Sequence, residues 1–150
     1  GCYWGVESVF RGIDGVVDTA VGFCGGREDG PTYHQVCTTD TGHAEVVLVR
    51  FDPAVVSFAQ MMELFLGSHD PTTLNRQGPD VGPQYRSAVF TSGDDQEAAA
   101  RAAIQALDAL GTLKDPVVTE ITPAGPFWPA DAEHQRYFEK RGIAPTCHTG

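Results

Sequence analysis

The sequence predicts a two-layer α+β domain, in which helices pack on one face of a mixed sheet. The first observation is the order of patterned segments, which is helix, strand, strand, helix, strand, helix, strand. The second is size, because 150 residues without a repeat or a long polar tract fit one domain that spans 1–150. The third is that the strand-like runs are β-branched and apolar, whereas the helix-like runs are amphipathic.

Periodicity and glycine define the individual elements. Val6, Val9 and Phe10 recur at helical spacing, so a short helix is predicted to begin directly after Cys2. The clearest strand is HAEVVLVRF, which Asp52 and a proline close. The same patterns predict strands at 15–23, 43–51, 86–91 and 116–124, helices at 57–69 and 94–111, long loops at 27–42 and 69–85, and one short helix in the C-terminal tail.

A strand directly upstream of Gly1 would lead into Cys2 and complete a split βαβ, ferredoxin-like core. The sequence begins at Gly1 without an initiator methionine. We therefore expect an N-terminal strand to precede the 150 residues.

Charge and composition disfavour several classes of partner. Acidic residues outnumber basic ones by 20 to 10, giving a formal net charge of −10, and the basic residues are scattered. Nucleic acids and anionic membranes are therefore poor partners. No apolar run has the length that crosses a bilayer, so we expect a soluble protein. We also expect a monomer. The cysteines at 2, 24, 37 and 147 have no short paired spacing, which favours a reducing cytoplasm over a secreted disulfide framework.

Cys2 is a candidate nucleophile because of its predicted position at a helix N-terminus. Unpaired backbone N–H groups and the helix dipole favour negative charge there, which lowers the pKa of a thiol. The alternative is that Cys2 is a small buried apolar residue and that Tyr3 and Trp4 are core aromatics. The local sequence does not decide between the two.

Glu45 is a candidate proton donor. Strand alternation places its side chain on the same face as Val47, Val49 and Phe51, so the carboxyl is expected to face an apolar layer. Loss of solvation raises the pKa of such a carboxyl and keeps it protonated near neutral pH. The alternative is a solvated carboxylate at a strand end.

Two phenols and one acid occupy the predicted polar loops. Tyr33 lies in GPTYHQ, Tyr85 lies in GPQY, and Asp80 precedes Tyr85 in the same loop. Phenols in such loops can serve as hydrogen-bond donors. The alternative for each is a turn residue or a surface aromatic.

These stretches resemble a known family. GCYWGVE resembles the GCFWG signature of the A-type methionine sulfoxide reductases. The segments GPTYHQVC, TGHAEVV, HDPTTLNRQGPDVGPQYRSA and AEHQRYF match further family segments in the same order. The resemblance covers nearly the whole chain, and five ordered blocks make it specific.

The resemblance implies reduction of the S epimer of methionine sulfoxide, free or in peptides and proteins, to methionine. It further implies that Cys2 becomes a sulfenic acid and then a disulfide, which thioredoxin, or dithiothreitol in vitro, reduces without any bound cofactor or metal. The implied roles are Cys2 as nucleophile, Glu45 as acid, Tyr33 and Tyr85 as donors to the sulfoxide oxygen, Asp80 as their polar support, Tyr3 and Trp4 as the seat of the substrate methyl, and Cys147 as resolving thiol.

The chain departs from the family pattern at two positions. Tyr3 stands where phenylalanine is commoner, and it adds a hydroxyl to an apolar pocket. Cys24 stands where a small residue is usual. It is either an alternative resolving thiol or, as we prefer, an incidental small residue.

Two other functions are compatible with the cysteines. One is a cysteine hydrolase that pairs Cys2 with one of the five histidines, although no local hydrolase signature is present. The other is a redox-sensing or metal-binding module without enzyme activity, which would use Cys24, Cys37, Cys147 and His148. The wide spacing of these residues disfavours a zinc site.

Overall fold

The computed structural model describes residues 2–27, 29–38 and 41–141. Its α+β architecture, with antiparallel and parallel strands, confirms the predicted fold class. The helices are α1 (Tyr3–Arg11), α2 (Tyr33–Thr38), α3 (Phe58–Gly67), α4 (Asp94–Leu110) and α5 (Tyr137–Arg141). The strands are β1 (Val16–Cys24), β2 (Ala44–Phe51), β3 (Arg76–Gln77), β4 (Asp80–Val81), β5 (Ala88–Thr91), β6 (Glu120–Pro123) and β7 (Trp128–Pro129).

The strands form three hydrogen-bonded groups. The central strand β1 pairs antiparallel with β2 on one side and with β7 on the other. Strands β5 and β6 form a parallel pair, and β3 and β4 form a short antiparallel hairpin. In the pairing of β1 with β2, Phe23 lies opposite Glu45. This register brings the start of β2 next to the end of β1.

Helices cover these strands with separate apolar clusters. Phe10 of α1 packs with Val56 and Met61, and Met62 and Leu66 of α3 pack against α4. Ser57 caps α3 because its side chain accepts from the Gln60 amide while the Gln60 side chain accepts from the Ser57 amide. None of the helices that the structure describes combines the length and apolar composition needed to cross a membrane.

An apolar cavity of about 280 Å³ lies between the free edges of β2 and β5. Consecutive residues of both strands line it, together with side chains of α1 and α3. No strand within the described residues pairs with these two edges. The strand expected upstream of Gly1 concerns residues beyond the 150 and stays a prediction.

Two segments that the sequence predicts as loops contain regular structure. Residues 27–42 include α2, and residues 69–85 include the β3–β4 hairpin and a 3₁₀ turn at Pro83–Tyr85. The α2 helix is short and polar, so hydrophobic periodicity does not reveal it. Its capping pair is nevertheless visible in the sequence, because Thr32 and Gln35 have the three-residue spacing of a capping box. In the structure, Gln35 N donates to Thr32 Oγ1 at 3.1 Å and Thr32 N donates to Gln35 Oε1 at 2.8 Å.

Candidate active site

Cys2 is the N-cap residue of α1, as the sequence predicts. Its backbone is extended, with φ of −65° and ψ of 121°, and its carbonyl accepts from the Val6 amide at 3.3 Å. The side chain is half-buried. Cys2, Cys24 and Cys37, the three cysteines that the structure describes, are not joined in disulfides. A thiol at this position faces the positive end of the helix dipole.

Glu45 is the second residue of β2 and is only 6% exposed. Its Oε1 accepts from the backbone N–H of Tyr3 at 3.2 Å, directly beside Cys2. Its Oε2 is buried and has no hydrogen-bond partner among the described residues. Burial first, and then the negative charge of the Cys2 thiolate, raise the pKa of Glu45 to about 8. The carboxyl is therefore protonated at neutral pH and has one oxygen available for a substrate.

Tyr33 begins α2 and Tyr85 ends the 3₁₀ turn, and both phenols come together at the thiol of Cys37. Hydrogen bonds link this thiol to both tyrosines. Burial is the main cause that raises the pKa of each phenol well above its usual value. Both side chains therefore keep their O–H groups as donors, and Glu45, once it is ionised, also raises the pKa of each phenol.

Cys37 is a member of this cluster that sequence reasoning placed only in the metal-binding alternative. Burial raises the pKa of its thiol. It follows Tyr33 by four residues, which is one helical turn, and side chains at this spacing are neighbours. The spacing is visible in the sequence, but it has meaning only once α2 is recognised as a helix.

Asp80 lies in β4, close to the same group. Its negative charge raises the pKa of both Glu45 and Tyr85. Asp80 therefore lies near Glu45 and Tyr85 in the structure. A nearby negative charge favours the neutral forms of both the carboxyl and the phenol.

An aromatic cluster adjoins Cys2. Tyr3 is 1% exposed, and its ring centroid is 6.3 Å from those of Trp4 and Tyr33. Its hydroxyl is buried without a hydrogen-bond partner among the described residues. Trp4 is half-buried, stacks on Tyr137 at a centroid distance of 3.8 Å and donates its indole N–H to His134 Nδ1 at 3.2 Å. Tyr3 thus lies at the base of the cluster, and Trp4 lies nearer its surface.

Sequence reasoning did not assign His134 and Tyr137 to this site. Both belong to the AEHQRYF segment, which carried the family resemblance without any residue role. His134 is buried, and its ring centroid is 4.5 Å from that of Tyr33. Only the tertiary structure brings this C-terminal segment onto α1.

Cys24 ends β1 and is 3% exposed, and burial raises the pKa of its thiol. Because neighbouring residues of a strand point to opposite faces, Cys24 points away from the face that Phe23 shares with Glu45. This placement supports an incidental small residue over a resolving thiol. Cys147 and His148 lie outside the described residues.

Within the part of the chain that the structure describes, His, Cys, Asp and Glu side chains form no group of three or more that could hold a metal ion.

Comparison with known proteins places the chain in a family. A sequence model described as peptide methionine sulfoxide reductase matches residues 1–150. A peptide methionine sulfoxide reductase MsrA of Methanoculleus marisnigri is 56% identical over 142 residues, which cover 95% of this chain and 87% of the relative.

Two solved structures are similar over nearly all of the chain. Mxr1 from Saccharomyces cerevisiae in reduced form has a TM-score of 0.87 and 35% identity, covering 99% of this chain and 86% of that one. Methionine sulfoxide reductase A of Corynebacterium diphtheriae has a TM-score of 0.85 and 38% identity, covering 100% of this chain and 79% of that one. The chain therefore belongs to the peptide methionine sulfoxide reductase family.

Proposed function

We propose that this chain reduces the S epimer of methionine sulfoxide, free or in peptides, to methionine. One observation carries the proposal. Glu45 is a buried carboxyl with a pKa of about 8, and its Oε1 accepts from the amide that directly follows Cys2. This contact supports a site that combines a thiol with a proton donor, as reduction of a sulfoxide requires. Family membership disfavours the cysteine hydrolase and the metal-binding module.

The chemistry follows from the polarity of the sulfoxide. The thiolate of Cys2 attacks the electrophilic sulfur, while Glu45 delivers its proton to the oxygen, which leaves poorly unless it is protonated. The hydroxyls of Tyr33 and Tyr85 donate hydrogen bonds to that oxygen as negative charge develops on it. The substrate's sulfur–oxygen bond and the transient bond between the two sulfurs both break, and the protonated oxygen ends on the Cys2 sulfur. Methionine leaves as the reduced product, and Cys2 is oxidised to a sulfenic acid.

Substrate selection uses the aromatic cluster. The S-methyl group of the substrate is apolar, and Trp4 with the underlying Tyr3 provides an apolar surface next to Cys2. Asp80 supports the site through its charge, which favours the protonated forms of Glu45 and Tyr85.

Turnover requires a second thiol and an external reductant. In the proposed cycle Cys147 attacks the Cys2 sulfenic acid, water leaves, and a disulfide forms. Thioredoxin, or dithiothreitol in vitro, reduces this disulfide, so the enzyme needs no bound cofactor. We propose a cytoplasmic monomer that repairs oxidised methionine in proteins.

A coupled assay with separate S and R epimers of methionine sulfoxide tests the activity. Thioredoxin, thioredoxin reductase and NADPH supply electrons, and NADPH oxidation is followed. We expect turnover with the S epimer only. Turnover of the R epimer at a similar rate, or of neither epimer with any dithiol, contradicts the proposal.

Replacing Cys147 separates chemistry from recycling. The Cys147→Ser variant should still reduce one equivalent of the S epimer and then accumulate a Cys2 sulfenic acid that dimedone traps. Cys24→Ser is the matched control and should retain full turnover with thioredoxin. A Cys2–Cys24 disulfide in peptide maps of the wild-type protein, with undiminished turnover of Cys147→Ser, would contradict the assignment of Cys147.

A further inference from the structure

Glu7 ends the GCYWGVE stretch, and the proposed chemistry does not use it. Its side chain is 1% exposed, which is rare for a glutamate. Both of its carboxyl oxygens have partners. Oε2 accepts from the Thr19 hydroxyl at 2.8 Å, and Oε1 accepts from the backbone N–H of Arg136 at 2.6 Å. Glu7 therefore links α1 to β1 and to the segment that precedes α5.

Three residues on one side of α1 contact this C-terminal segment. Trp4, Glu7 and Arg11 are spaced by three and four residues, so they lie along one face of the helix. Trp4 stacks on Tyr137, Glu7 binds the amide of Arg136, and Arg11 Nε donates to Glu139 Oε2 at 2.6 Å. The contact of Glu7 with the Arg136 amide is partly buried, whereas the pair of Arg11 and Glu139 is exposed.

The backbone at Arg136 determines where the neighbouring side chains point. Arg136 has a φ of +50°, a left-handed conformation that is uncommon for residues other than glycine. On its N-terminal side, Gln135 is fixed by its side chain, whose Oε1 accepts from the Val21 amide at 2.7 Å. This turn directs both His134 and Tyr137 onto the indole of Trp4.

We propose that Glu7 is a positioning residue that holds the turn at Arg136 and so places His134 and Tyr137 against Trp4. The geometry of the aromatic seat for the substrate methyl group then depends on a carboxylate that does not touch substrate. The part of this inference that concerns the methyl group rests on the proposed function. The part that concerns the turn and the indole does not.

Steady-state kinetics with methionine S-sulfoxide test the first part. Glu7→Ala should raise KM by about tenfold and leave kcat within about threefold, because the seat loosens while Cys2 and Glu45 remain in place. Glu7→Gln should be close to wild type, since its carbonyl can accept from the Arg136 amide and its NH₂ group can donate to Thr19. Glu139→Ala is the matched control, because it removes an exposed contact between the same two segments.

NMR of ¹⁵N-labelled protein tests the second part without any assay. In the wild type, the Arg136 amide and the Trp4 indole N–H should exchange slowly with solvent, because both are hydrogen-bonded in the structure. In Glu7→Ala both should exchange at least about tenfold faster. Rapid exchange of the Arg136 amide in the wild type overturns the proposal. This measurement needs only the wild-type protein, so it decides even if Glu7→Ala does not fold.

The other outcomes are equally informative. Unchanged KM and unchanged indole exchange in a folded Glu7→Ala variant overturn the positioning role. Equal losses in Glu139→Ala and Glu7→Ala also overturn it, because they indicate a general loosening of the segment. If the wild type reduces no sulfoxide, the proposed function fails, but the NMR result still decides whether Glu7 positions Trp4.

Discussion

The site around Glu45 and the cluster of His69, Ser87 and Thr119 both contain a buried titratable group. His69 is 4% exposed and Glu45 is 6% exposed. Burial lowers the pKa of His69 to about 4 and raises that of Glu45 to about 8, so both groups are neutral at pH 7. The two regions nevertheless differ in whether the buried polar atoms of their side chains all have hydrogen-bond partners.

Every side-chain nitrogen and oxygen in the histidine cluster has a partner. His69 Nδ1 lies 2.6 Å from the Phe65 carbonyl and therefore donates to it, which leaves Nε2 to accept from the Ser87 hydroxyl at 2.7 Å. The Ser87 oxygen in turn lies 2.7 Å from Thr119 Oγ1. At the other site, Glu45 Oε2 has no partner among the described residues. The comparison teaches that burial alone makes a group neutral, whereas an incomplete hydrogen-bond set makes it available for chemistry.

The largest expected effect comes from removing the attacking sulfur. Cys2→Ser should abolish sulfoxide reduction even with excess dithiothreitol, because no external reductant replaces the nucleophile. The loss is measured in single-turnover assays, in which mass spectrometry quantifies the methionine formed. Substantial remaining activity would transfer the nucleophile to another cysteine and contradict the proposed site.

Removing the proton donor should have the next largest effect. Glu45→Gln keeps the shape but cannot donate an acidic proton, and general acid catalysis contributes about 10²–10⁴-fold. The rate of the first turnover at pH 7 measures the loss. In the wild type this rate should also fall as pH rises through about 8, where Glu45 ionises. A loss of only a few-fold in the variant would demote Glu45 to a positioning role.

Glu45→Gln should also change how the free energy of unfolding depends on pH. The pKa of Glu45 is raised in the folded state from 4.5 to about 8, so the folded protein holds this proton more tightly than the unfolded chain. Wild-type stability should therefore fall between these two pH values, and Glu45→Gln should not show this fall. The variant is expected to be more stable than wild type at pH 9 by on the order of a few kcal/mol and to differ little from it at pH 4. Denaturant unfolding at both pH values measures this.

The smallest effect is expected at the fully paired cluster, and it concerns stability alone. Ser87→Ala leaves a buried nitrogen of His69 without its donor, which costs about 1–3 kcal/mol. Activity should stay within about threefold of wild type, a margin of less than 1 kcal/mol. Ser68→Ala is a control at the same helix end, where a half-buried hydroxyl donates to the Phe65 carbonyl at 2.8 Å. A large loss of activity in Ser87→Ala would contradict the conclusion that the histidine cluster contributes to stability alone.

The sequence predicts the main elements because their apolar periodicity is strong. The ranges 15–23, 43–51 and 94–111 agree with β1, β2 and α4. It also predicts Cys2 at a helix N-terminus and Glu45 on a buried strand face, since both follow from local patterns. The α2 helix was wrongly predicted as loop, because a six-residue polar helix has too few apolar positions to show a period.

Some properties follow from the order of residues along the chain, and others require distant segments to meet. The order alone determined the fold class, the family resemblance, the helix that begins after Cys2 and the alternation that buries Glu45. Tertiary structure decided that Cys37 lies between two phenols, that His134 and Tyr137 cover Trp4, and that Glu7 binds the amide of a residue 129 positions away. The physical reason is that periodicity records which face of an element is buried, whereas the partner that covers this face is determined by packing between elements.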